Sequence, residues 1–125
     1  MHEVVIAEKI KSLTAPLLEK GFSFSYFYQK GGDSSCVYIC RYQKGRDFFD
    51  WREVSGANEI HIVAFVNGEY RFPSLRLLYK KEYRMFTVKH LFKKATMDEW
   101  REFTATLLNA ELSSGKPDFF GIPLA

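Results

Sequence analysis

Eight consecutive residues, Arg46-Asp47-Phe48-Phe49-Asp50-Trp51-Arg52-Glu53, hold three aromatic rings and five charges. Asp47, Asp50 and Glu53 are of the type a general acid–base set would use, and His61 adds an imidazole that could join them. Strand geometry works against such a set. If the segment is extended, Asp47 and Glu53 share one face but stand about 20 Å apart, and Asp50 points to the other side. Asp50 and Arg52, two apart on one face, are better placed to pair with each other or with Arg41 and His61. The rings on both faces require cover on both faces, while the charges resist full burial. The segment is therefore either a central strand with its charges paired or part of a contact surface.

Other chemistry has little to build on. His2, His61 and His90 are widely separated, and no His-x-x-x-His or Cys-x-x-Cys spacing is present, so no metal site is expected. No Gly-x-Ser-x-Gly elbow occurs, and neither cysteine falls at a predicted helix start. Gly31-Gly32 lies between strands rather than before a helix, which makes it turn chemistry, and no cofactor is expected. Cys36 and Cys40 sit four apart in a predicted strand. That spacing spans about 13 Å, against the roughly 7 Å a disulfide tolerates. They are expected to be reduced, small apolar residues, which suits a cytoplasmic location.

The elements that must position these residues follow from hydrophobic period. Ile6, Ile10, Leu13 and Leu17 mark one face of a helix over 3–20, with Pro16 kinking or restarting it and Gly21 stopping it. From Phe22 the period is two. Strands are predicted over about 22–28, 35–43, 46–54, 60–66 and 69–72, joined by turns at 30–34, Lys44-Gly45, 55–58 and Asn67-Gly68. Asn67-Gly68 is the sharpest signal, since a type I′ turn needs positive φ at both central positions. A bulge or register change near Lys44-Gly45 would bring Phe49 and Trp51 to the face shared by Tyr42 and Ile62. After Pro73 the pattern is helical but ambiguous, with 83–88 readable as extended. Thr96-Met97-Asp98-Glu99 has capping-box form and opens a helix whose buried stripe is Trp100, Phe103, Leu107 and Leu108. The fold class is α+β: an N-terminal helix, an antiparallel meander of about five strands, and C-terminal helices packed on one sheet face.

The 125 residues fit a single domain, 1–125, large enough to bury a core without a metal or disulfides. The last stretch, 116–125, is expected to be an irregular tail; its Phe119, Phe120, Ile122 and Leu124 would either fold back on the domain or dock into another chain. No apolar run approaches the roughly 20 residues that span a bilayer, the N-terminus carries no leader pattern, and no membrane partner is expected.

The net charge of +3 is unevenly spread. Residues 76–94 hold seven cations, Arg76, Lys80, Lys81, Arg84, Lys89, Lys93 and Lys94, against Glu82 alone. On one continuous helix Arg76, Lys80 and Arg84 would form a stripe that Lys89 and Lys93 extend, suited to phosphates or to an acidic partner. The leading expectation is a small non-enzymatic protein-binding or regulatory module, inhibitor-like or self-associating. Its contact residues would be Asp50, Trp51, Arg52 and Glu53, with Arg41 and His61 beside them. Nucleic-acid binding through 76–94 is the alternative, and an enzyme with an unrecognised acid–base site comes third.

Overall fold

The computed structural model describes residues 2–30, 36–54 and 59–124. The loop expected at 31–34, the turn at 55–58 and the side chains of His2 and Cys36 lie outside the described residues. Helices α1 (His2–Leu13) and α2 (Ala15–Glu19) lead into five strands, β1 (Ser23–Lys30), β2 (Cys36–Lys44), β3 (Asp47–Val54), β4 (Ile60–Val66) and β5 (Glu69–Arg71). Helices α3 (Leu75–Leu78), α4 (Lys80–Lys89) and α5 (Met97–Leu112) follow, then the short strands β6 (Asp118–Phe119) and β7 (Ile122–Pro123). The five strands form one antiparallel meander in sequence order. This is the predicted α+β arrangement.

Sequence explains most of the boundaries. Pro16 has no amide proton to donate, so the first helix breaks at Thr14 and restarts with the proline in its opening turn. The Thr14 hydroxyl at the break is fully buried; it donates to the Ile10 carbonyl and meets the Tyr42 hydroxyl across the core. Asn67 and Gly68 both take positive φ, 54° and 80°, as a type I′ turn requires. The capping box at α5 is present in full: Thr96 Oγ1 accepts from the Glu99 amide and Glu99 Oε1 accepts from the Thr96 amide.

A two-residue turn decides which residues face the core. Lys44 pairs with Asp47 across Gly45-Arg46, and Gly45 supplies the single positive φ, 66°, of a type II′ turn. The pairing therefore sets even positions of β2 beside odd positions of β3: Tyr42 opposite Phe49 and Cys40 opposite Trp51. Trp51 in turn lies opposite Ile62. A register change, with no bulge, moves Phe49, Trp51 and Glu53 to the helix side and leaves Phe48, Asp50 and Arg52 on the other. Tyr42, Phe49 and Trp51 are completely buried there, with Tyr42 and Phe49 stacked at 4.7 Å.

The C-terminal stretch departs from the irregular tail expected. Phe120 and Gly121 take positive φ, 52° and 92°, and close β6 on β7 as a tight hairpin. The hairpin inserts Phe119 and Ile122 into the core, where Phe119 meets Phe22 at 5.9 Å and Phe49 at 5.0 Å. Two apolar side chains one turn apart can then be buried by the chain's own sheet. Phe119→Ala is expected to cost about 3–5 kcal/mol in urea unfolding, as for other buried rings. A loss under about 1 kcal/mol would mean that the hairpin is not part of the cooperative unit.

Candidate protein-contact face of the sheet

The side chains on the far side of the sheet interact across their own strands. Phe48 on β3 faces Phe65 on β4, which faces Tyr70 on β5, all in direct register. The rings follow that register, with Phe48 and Phe65 stacked at 5.1 Å and Phe65 meeting Tyr70 edge-on at 4.9 Å. Arg41 on β2 continues the row: its guanidinium lies 3.8 Å from the Phe48 ring centre and 5.0 Å from that of Phe27 on β1. A ladder of four rings and one guanidinium thus crosses all five strands. Phe27 and Tyr70 at its ends are 40% and 57% exposed, while Phe48 and Phe65 are half-buried.

Asp50 sits beneath this ladder with no exposed surface. Arg41 Nε and Nη2 donate to its two carboxylate oxygens at 2.8 and 2.9 Å, a bidentate fork, and Arg52 Nη2 approaches at 3.4 Å. The carboxylate holds the Arg41 pKa above its ordinary value, mainly through these hydrogen bonds. Arg41, Asp50 and Arg52 are thus brought together as expected from strand spacing. His61 is directly opposite Arg52 in the register but pairs with exposed Glu59 at 3.0 Å. Arg52 Nε is buried and has no hydrogen-bond partner among the described residues.

Trp51 and Glu53, named with them as contact residues, lie on the opposite face, where the register change carries Trp51 beside Cys40 and Ile62 as that reading of the turn expected. Trp51 Nε1 donates to Glu53 Oε2 at 2.9 Å, and Arg101 on α5 grips the same carboxylate with Nε and Nη2. Arg101 lies 48 positions away, so no local signal in the sequence pointed to it. Asp50 and Glu53 therefore face opposite sides, and neither lines the cleft of about 760 Å³ beside Ile60–Val63 in which His61 stands. An acid–base set of Asp50, Glu53 and His61 is not assembled. Cys40 is buried beneath α1, and burial, first of all, pushes its thiol pKa up to about 12, so it is a poor nucleophile. Phe27 and Tyr70 were not among the candidate residues of this face; the signal for them was the alternation that placed them away from the core.

The basic segment is not the single stripe expected. Tyr79, at φ −124° and ψ 52°, separates α3 from α4, so Arg76 leaves the line of Lys80 and Arg84 and lies over the Tyr83 ring. Lys93 falls beyond the end of α4. One face of α4 packs on α5 through Phe86, stacked on Phe103 at 4.3 Å, and through Tyr83. His90 closes this contact: Nε2 meets Glu99 Oε2 and Nδ1 meets the Phe86 carbonyl, each at 2.9 Å. Two acceptors are satisfied together only by the doubly protonated ring, so the Glu99 contact first, then the carbonyl, raise its pKa above 6.5. Glu99 is lowered to about 2, chiefly by the Thr96 amide and then by His90.

Comparison with protein-family models, curated proteins and solved structures finds no match for this chain.

Two outcomes follow from this geometry. Asp50→Ala is expected to cost about 3–5 kcal/mol in urea unfolding, since it strands two guanidinium groups over a buried site. Arg52→Ala, which removes one long contact from a part-exposed residue, is expected to cost about 1 kcal/mol or less. Equal losses would mean that Arg41 is not the main counter-ion. The His90–Glu99 contact has a defined pH window. The raised His90 contributes fully below its ordinary value and its contribution is lost as pH rises through the folded value; the lowered Glu99 contributes above 4.5 and loses this as pH falls towards 2. The contact is therefore strongest between about 4.5 and 6.5. NMR titration should give His90 a midpoint above 6.5 that Glu99→Gln moves down; an unmoved midpoint would remove Glu99 as the cause.

Proposed function

We propose that the chain is a non-enzymatic protein-binding module whose contact surface is the sheet face opposite the helices. The observation that carries this reading is the ladder Phe27–Arg41–Phe48–Phe65–Tyr70, which crosses the face with exposed rings at both ends. Aromatic and arginine side chains dominate the energetic centres of protein interfaces, where they combine large contact area with directional polar bonds. Here the arginine is already fixed by Asp50 and by two rings, so little side-chain freedom is lost on contact.

The partner is a protein, either a second copy of this chain or another polypeptide. No helix among the described residues is long and apolar enough to cross a membrane. The buried, unbridged thiol of Cys40 suits a reducing compartment, and we place the module in the cytoplasm. Asp50, Arg41 and Arg52 organise the face, while Phe27, Tyr70 and His61 would touch the partner. Trp51 and Glu53 act from behind the sheet, holding β3 to α5.

Photo-cross-linking tests this directly. A benzophenone side chain placed at Phe27 or Tyr70 should cross-link in cells to a discrete protein band, or to a second copy. The same group at exposed Thr106 on α5 should not. Sedimentation velocity of the purified chain separates the two partners, and Tyr70→Asp should weaken either association on the order of tenfold or more. A monomer whose Phe27 and Tyr70 positions cross-link no better than Thr106 would overturn the reading.

A further inference from the structure

The outward side of α4 should be polar if it only met water, and it is not. Its inward face is used up by Tyr83, Phe86 and His90 against α5. About half a turn away on α4 stand Lys81, Arg84, Met85 and Val88, and α3 adds the exposed Leu77. Leu77, Met85 and Val88 are 66%, 63% and 63% exposed. Just past the helix the chain bends through Leu91, 65% exposed, and Phe92, 99% exposed. Among the described residues none of Lys80, Lys81, Arg84, Lys89, Lys93 and Lys94 forms an ion pair.

We propose that this surface docks the protein on an anionic lipid bilayer, with the cations at the headgroups and Phe92, Leu91, Val88 and Met85 at the acyl boundary. Charge complementarity comes first: the six cations of residues 80–94 against Glu82 alone favour a surface of dense negative charge. The aliphatic side chains then choose among such surfaces. A nucleic acid offers phosphates to the lysines and bases to one ring, but nothing to Leu77, Met85, Val88 or Leu91. A groove on a folded partner calls for a narrow apolar stripe, whereas here cations and apolar groups are intermixed on a ridge. Exposures of this size also mean that no wall of the protein's own shields these groups. A soft interface receives both kinds at once, the lysine stems lying along the apolar layer with their ammonium groups outward.

The lack of a spanning stretch led to the expectation that no membrane is involved, but lying on a bilayer needs only one amphipathic surface. The inference is independent of the ladder reading, because the two surfaces are on different elements.

The test is co-sedimentation of the full chain with vesicles of phosphatidylcholine alone and with about one-third phosphatidylserine, at low and physiological salt. Binding is expected to the anionic vesicles, on the order of tenfold or more above the neutral ones. Phe92→Ser and the double variant Lys93→Glu/Lys94→Glu should each lose on the order of tenfold. Phe92 touches no core residue, so circular dichroism should show the variants folded. A Phe92→Trp reporter should shift its emission to the blue on anionic vesicles alone. Failure to bind anionic vesicles at low salt would overturn the proposal. So would binding that Phe92→Ser leaves intact with no blue shift, and so would tighter, salt-sensitive binding to a homopolymeric RNA that Phe92→Ser does not affect.

Discussion

The central strand of this sheet carries a buried carboxylate to each of its two faces, and neither can stay charged there alone. Removing a carboxylate from water costs several kcal/mol, so each requires a cation at hydrogen-bonding distance. On the helix side Glu53 is met by Arg101 from α5, and on the far side Asp50 is met by Arg41 from β2. These two pairs hold β3 in register with its neighbour strand and α5 at a fixed place on the sheet. A slip of one residue along β3 would exchange its faces, leaving both carboxylates without their arginines and turning Phe49 and Trp51 out of the core.

That constraint also shapes the two faces differently. The helix side is the packed core: Tyr42, Phe49 and Trp51 fill it, the C-terminal hairpin adds Phe119, and Trp51 Nε1 donates to Glu53. The far side is organised around an ion pair and carries rings that are only partly covered. Arg41 joins the two halves of that face, bonded to Asp50 by its fork and held over the Phe48 and Phe27 rings. A guanidinium can do both at once because its donors lie in the plane and its faces are free.

The same economy appears in the helices. Glu99 caps α5 with one oxygen and receives His90 with the other, so the start of α5 and the end of α4 are tied through one side chain. With α4 held on its inner face by Phe86 and His90, its outer face is free to carry apolar and basic groups that the fold does not use. In the proposed reading a protein partner would meet the strands and a lipid surface would meet α4 and the bend after it. Neither would need to disturb the core.

Period and capping chemistry made the elements legible in the sequence. Alternation from Phe22 onward, Asn67-Gly68, and Thr96 with Glu99 are local signals whose energetics are complete within a few residues, and the structure follows them. The pairing of Asp50 with Arg41 was partly legible, because neighbouring strands joined by a short turn leave few registers. The core side of Trp51 was legible only on condition of a register change at Lys44-Gly45, and the surroundings of Glu53 were not legible. Their side depended on the parity of a two-residue turn, and their partner Arg101 on how a distant helix crosses the sheet. Tyr79 likewise divides a basic run that reads as one stripe, since a break between two short helices is set by packing on α5 and not by propensity. The tail had the composition of something that must be covered, but only the folded sheet supplied the site that Phe119 fills. Local hydrogen bonding is written in adjacent residues; burial and charge pairing are properties of surfaces that exist only after the chain has folded.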